Sequence, residues 1–231
     1  MTPANEIFFD FVCPYAWRGL ELAQVLRKAG EQEFKLRHFS LAQSNHEDNA
    51  GKDKPVWWLT DQPLAEAAPS DQKLPEKDEA KKRHMAFVQS SLLTFLAAEA
   101  AARQGEEASW DFSLAVFRAH HEDNKPLNEA TIMEAAQTAG LNLEQFAADR
   151  EDEQGLRARL RSELTEAAEI GVFGTPTFIL PGGEAAYFRF ENLTRDLETA
   201  RQWWKLYGEV LNADAGIATI KRAKNRPAKK A

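Results

Sequence analysis

The chain has 231 residues, 43% hydrophobic and 28% charged, enough for one large domain or a smaller domain carrying an insertion. Its net charge of -7, with both signs mixed through most of its length, argues against general nucleic-acid binding. A single cysteine excludes an internal disulfide, no stretch reads as the roughly 18 apolar residues of a membrane span, and MTPANEIFFDF lacks a signal-peptide pattern. A reducing cytoplasm is therefore expected.

Residues 6–12, EIFFDFV, are apolar and β-prone and predict a strand running up to Cys13-Pro14. Pro14 to Ala29 reads as a helix with Ala16, Leu20, Ala23 and Leu26 along one face and Gly30 as its stop. Residues 34–41, FKLRHFSL, alternate as a half-buried strand, which makes a βαβ unit and implies a parallel pair. Residues 42–75 hold Pro55, Pro63, Pro69 and Pro75 and predict an irregular connection docked through Trp57 and Trp58. From Glu76 to about Ile170 the pattern is helical. Its stripes are Met85, Val88, Leu92, Phe95 and Leu96; then Phe112, Val116 and Ala119; then Leu156, Leu160, Leu164 and Ala168, with Asn128 as an N-cap. Two strands follow, TPTFIL (175–180) and AAYFRF (185–190), joined by the turn PGG (181–183). A last helix carries Leu193, Leu197, Ala200, Trp204 and Tyr207 on one side. Residues 1–41 and 171–211 thus make one discontinuous α/β domain, 42–170 a loop plus helical insertion, and 212–231 a tail. Lys221, Arg222, Lys224, Arg226, Lys229 and Lys230 make that tail basic, and it reads as solvated.

Two positions carry chemistry. Pro14 suits the first helical position, which makes Cys13 the N-cap. The free amides and the positive end of the helix then face its sulfur, a setting in which cysteines ionise more readily than free thiols. The other reading of a lone cysteine is a small buried hydrophobe. The second position is Thr175-Pro176 in GVFGTPTF. Proline cannot donate to a sheet ladder; a cis bond there turns the Thr175 backbone outward, where its edge can pair with a peptide or with glutathione. An ordinary Gly-Pro turn stays open as the alternative.

FFDFVCPYAWRG together with GVFGTPTF resembles the DsbA-like thioredoxin superfamily, in particular its FrnE-like branch. The chain is also similar to kappa-class glutathione transferases and 2-hydroxychromene-2-carboxylate isomerases. The resemblance covers the chain to about residue 211 and implies a thioredoxin fold with an all-helical insertion between its βαβ and ββα halves. It matches Cys13 to the attacking cysteine and Thr175 and Pro176 to the cis-proline pair. Ala16 stands where a dithiol enzyme has its resolving cysteine, so the implied route is a monothiol one: Cys13 attacks a disulfide, and an external thiol resolves the adduct. The transferase and isomerase relatives hold glutathione with a serine in an SPY or SPF motif similar to Cys13-Pro14-Tyr15, which implies the alternative of a glutathione-dependent isomerase or transferase. A non-catalytic peptide- or thiol-binding protein is the third reading.

The expected site is catalytic Cys13 with Pro14, Tyr15, Trp17, Thr175 and Pro176 shaping the substrate face; core packing is the equal alternative for Trp17. The five histidines, His38, His46, His84, His120 and His121, show no metal-ligand spacing with the cysteine or a carboxylate pair, and His38 reads as a packed residue. No metal or tightly bound cofactor is expected, only glutathione or another low-molecular-weight thiol as cosubstrate. Expected partners are protein or small-molecule disulfides and thiols, with no nucleic acid or membrane. The stripes of the insertion serve a substrate pocket or a homodimer interface equally.

Overall fold

A computed structural model describes residues 4–52, 54–64, 76–211 and 215–217. The basic run at 220–231 lies outside them, as do residues 65–75 of the proline-rich connection. Strand β1 (Asn5–Phe9), helix α1 (Pro14–Lys28) and strand β2 (Phe34–His38) form the βαβ unit. A short helix α2 (Leu41–Ser44) and 3-10 turns at 47–49 and 59–61 lead to five helices: α3 (Glu76–Ala102), α4 (Glu106–His121), α5 (Glu129–Thr138), α6 (Leu143–Glu151) and α7 (Glu153–Ile170). Strands β3 (Thr177–Ile179) and β4 (Ala185–Tyr187) and helix α8 (Leu197–Leu211) close the chain. The sheet order is β2-β1-β3-β4, with β1 parallel to β2 and antiparallel to β3, and β3 antiparallel to β4. This is a thioredoxin fold carrying a helical insertion.

The alternation of β1 decides the layers. Ile7 and Phe9 face the large core shared with α1, α3 and α4, whereas Phe8 points the other way, onto Phe39 and Ala167 of α7. All three β1 residues are fully buried, each contributing ~2 kcal/mol of apolar burial. Phe178, opposite Ile7, packs on Trp204 and Tyr207 of α8. The Tyr207 hydroxyl donates to the Phe178 carbonyl at 2.7 Å.

Several elements are shorter than their apolar runs predicted. β1 stops at Phe9 because Asp10 redirects the chain: its carbonyl accepts the Cys13 N–H at 3.0 Å, and its carboxylate accepts from Val12 at 3.2 Å and Leu41 at 2.7 Å. β2 stops at His38, and Ser40, expected in the strand, instead caps α2 by accepting from the Gln43 N–H at 3.0 Å. The connection after β2 is partly ordered rather than wholly irregular. Trp57 stacks on His46 at 4.1 Å, and Trp58 lies beneath Arg161 at 3.7 Å.

Met85 departs from its expected stripe and is exposed, because α3 first meets the core at Val88. The expectation that no stretch suits a membrane is also corrected. Lys82–Ala102 is long and apolar enough by composition, since its many alanines count as apolar. In this fold Val88, Leu92, Phe95 and Leu96 of that segment are core residues.

Candidate functional site

Cys13 occupies the N-cap of α1 in an extended conformation, with Pro14 in the first helical turn. Its side chain makes no capping hydrogen bond. The thiol donates instead across the fold to the Thr175 carbonyl at 3.3 Å, and Cys13 is 6% exposed. The sulfur expected to face the helix amides makes no bond to them: a thiol's proton needs an acceptor, which the Thr175 carbonyl supplies and the amide N–H donors do not.

The Thr175-Pro176 bond is cis. Pro176 sits against α1 at Gly19, where a Cβ would lie 3.0 Å from its Cγ. Thr175 is buried rather than presented as an open edge, because this close approach carries its carbonyl beneath Cys13. Among the described residues nothing pairs with its buried Oγ1. Ala16, one turn after Cys13, is fully buried.

The rim is aromatic and cationic. The half-buried Tyr15 ring lies under the guanidinium of Arg189 at 4.6 Å and that of Arg18 at 5.1 Å. Arg189 also lies over Tyr187 at 4.9 Å. Tyr187 packs against Gly174, and Phe173, 71% exposed, meets it edge-on at 5.4 Å. Pro14 is exposed at the same helix start. Trp17 turns away from this cluster. Its ring stacks on His121 of α4 at 5.6 Å, and its N–H donates within α1 to Glu21 at 3.3 Å. Burial first, then the charges of His120 and Arg18, hold His121 below its ordinary value, against its bond to the Phe11 carbonyl.

Arg189, Tyr187, Arg18 and Asp10 were absent from the sequence reading. The alternation expected over AAYFRF puts Tyr187 and Arg189 on one side, although β4 itself ends at Tyr187, and no spacing places that side beside Tyr15. Asp10 is fully buried; burial pushes its carboxyl up to about 6 against two backbone hydrogen bonds and the charge of His38.

A second charged cluster lies in the core. His38 Nδ1 is 3.0 Å from oxygens of both Glu99 and Glu163, so His38 does meet a carboxylate pair that its sequence spacing had not suggested. Those three residues are close enough to share a metal ion. Their carboxylates are already matched by cations, Arg159 to Glu99 at 2.8 Å and Arg37 to Glu163 at 3.5 Å, which argues for an ion-pair network. His120 and His121 touch, but their ring nitrogens bond separate carbonyls, of Lys125 and Phe11. A cleft of about 610 Å³ between α1 and α4 holds Glu21. Arg118 and Arg195 outweigh the burial of this carboxyl and hold it down at about 2, so its charges are already paired.

A sequence profile described as DSBA-like thioredoxin domain matches residues 6–198. No curated protein matches the chain. Among solved structures, the chain is similar to 2-hydroxychromene-2-carboxylate isomerase, with 15% identity, a TM-score of 0.56, and 94% of this chain and 100% of the other covered. It is also similar to the cytosolic disulfide reductase DsbM from Pseudomonas aeruginosa with glutathione, with 14% identity, a TM-score of 0.53, and 88% and 98% covered. At these identities the likeness concerns the fold.

Proposed function

The chain belongs to the family of DSBA-like thioredoxin domains, and from that premise we propose that it is a thiol-disulfide oxidoreductase working through Cys13 alone. The observation that carries this reading is the Cys13 thiol at the start of α1, held against the Thr175 carbonyl, with the Ala16 methyl where a resolving thiol would stand. When the proton leaves, the N-terminal end of α1 favours the thiolate, which is the attacking species. It attacks a disulfide sulfur; the S–S bond breaks, one thiolate leaves with the electron pair, and a mixed disulfide remains on Cys13. A second thiolate, from glutathione or another small thiol, attacks the sulfur bonded to Cys13. This returns Cys13 as thiolate and releases a disulfide. Reliance on an external thiol suits a reducing compartment.

Incubation with oxidised glutathione, followed by intact-protein mass measurement and a disulfide-reduction assay, tests the reading. The parent protein should gain one adduct at Cys13 and reduce the disulfide in the presence of glutathione, and Cys13→Ser should do neither. Full reductase activity in folded Cys13→Ser overturns the thiol role.

A further inference from the structure

Arg189 is an exposed guanidinium held between two aromatic faces, Tyr15 from α1 and Tyr187 from β4. Both faces belong to the rim of the thiol site. Tyr15 is two residues beyond Cys13, and Tyr187 packs on Gly174, the residue before Thr175, whose carbonyl accepts the thiol. Burial raises the Tyr187 phenol, and the charge of Arg189 and a hydrogen bond from its guanidinium oppose this.

Most arginines of this surface are matched. Arg27 pairs with Glu107, Arg195 with Glu21 and Glu122, and Arg201 with Glu31. Arg18, the other cation at Tyr15, donates to the Phe190 carbonyl at 3.3 Å and the Glu191 carbonyl at 2.9 Å, which ties α1 to the segment carrying Arg189. Arg189 itself has no carboxylate partner among the described residues. Contact with two rings and a hydrogen bond to the Tyr187 phenol hold the guanidinium in place beside the site. With one N–H engaged at the Tyr187 phenol, the remaining N–H groups of a held guanidinium are suited to a carboxylate.

We propose that Arg189 binds the carboxylate of the small thiol whose sulfur becomes bonded to Cys13, so that the site selects carboxylate-bearing thiols and disulfides over neutral ones. This rests on the monothiol reading above and adds the substrate class. The Cys13 thiolate attacks one sulfur of the small disulfide. The sulfur–sulfur bond breaks, the departing thiolate takes the electron pair and then a proton, and the retained half keeps its carboxylate on Arg189.

The test compares rates of Cys13 adduct formation with oxidised glutathione and with bis(2-hydroxyethyl) disulfide, which is uncharged. In the parent protein, preference for oxidised glutathione should fall as salt is raised. Arg189→Gln should cut that preference about ten-fold, the scale of a lost charge-assisted pair, and Arg189→Lys should restore part of it. An unchanged preference ratio in Arg189→Gln overturns the proposal and leaves Arg189 as a strut between Tyr15 and Tyr187. Adduct formation with neither disulfide in the parent protein overturns the underlying Cys13 reading itself.

Discussion

Cys13 and Ala16 differ by one turn of helix and by the presence of a sulfur, and on the proposed monothiol route that difference makes the cycle depend on an external thiol. Cys13 was legible in the sequence because a helix start after an apolar run, with proline next, is a local pattern; the meaning of Ala16 came from the resemblance to the DsbA-like family. The destination of the thiol proton was not legible, because Thr175 is 162 positions away. Ala16→Cys would put two thiols at neighbouring positions of one helical face. Treated with oxidised glutathione, that variant should form an internal disulfide and retain no glutathione, whereas the parent protein keeps its adduct; thiol titration and intact mass distinguish the two. Retention of the adduct in folded Ala16→Cys would show that the added thiol cannot reach Cys13.

At the scale of elements, the site depends on α1 meeting the loop before β3. Gly19 permits that approach: an added Cβ would lie 3.0 Å from Pro176 Cγ and 3.3 Å from the Phe178 ring. Inside a helix Gly→Ala ordinarily stabilises by about 1 kcal/mol. Here the methyl must push Pro176 away from α1, and with it the Thr175 carbonyl. Gly19→Ala should therefore forfeit the usual gain in a urea-unfolding midpoint and slow Cys13 adduct formation several-fold. A normal helix-propensity gain with unchanged adduct rate would show that the loop yields freely. The sequence marked Gly19 only as a helix residue, since the periodicity of one helix says nothing about which loop lies on it. It likewise overran β1 and β2, where Asp10 and Ser40 draw the backbone into turns through contacts that apolar runs do not encode.

Across the whole molecule, the network around His38 joins the sheet to the insertion. Arg37 and His38 come from β2, Glu99 from α3, and Arg159, Glu163 and Glu166 from α7. Burial works to lower the His38 pKa, but Glu163 and Glu99 outweigh it and raise it from 6.5 to about 10. A group raised on folding stabilises fully below its unfolded value and loses that contribution as pH rises through its folded value. His38 should thus support the fold up to about pH 6.5 and release it toward pH 10. The raised carboxyl of Asp10 has the same sign in a lower window, from 3.8 to about 6. Urea midpoints should fall between neutral pH and pH 10, and His38→Gln, destabilised at neutral pH, should lose much of that slope; identical slopes would remove His38 from the account. By itself the sequence determined the order of elements and the thiol at a helix start, because each depends on local propensity and short spacing, while the roles of Ala16 and of Thr175-Pro176 came from the family resemblance of their motifs. Only the tertiary structure decided that Thr175 accepts the Cys13 thiol, that Trp17 packs toward α4, that Arg189 stands between Tyr15 and Tyr187, and that His38 meets two carboxylates. Those contacts join residues distant along the chain, and they depend on how the sheet and helices pack together, which no local pattern records.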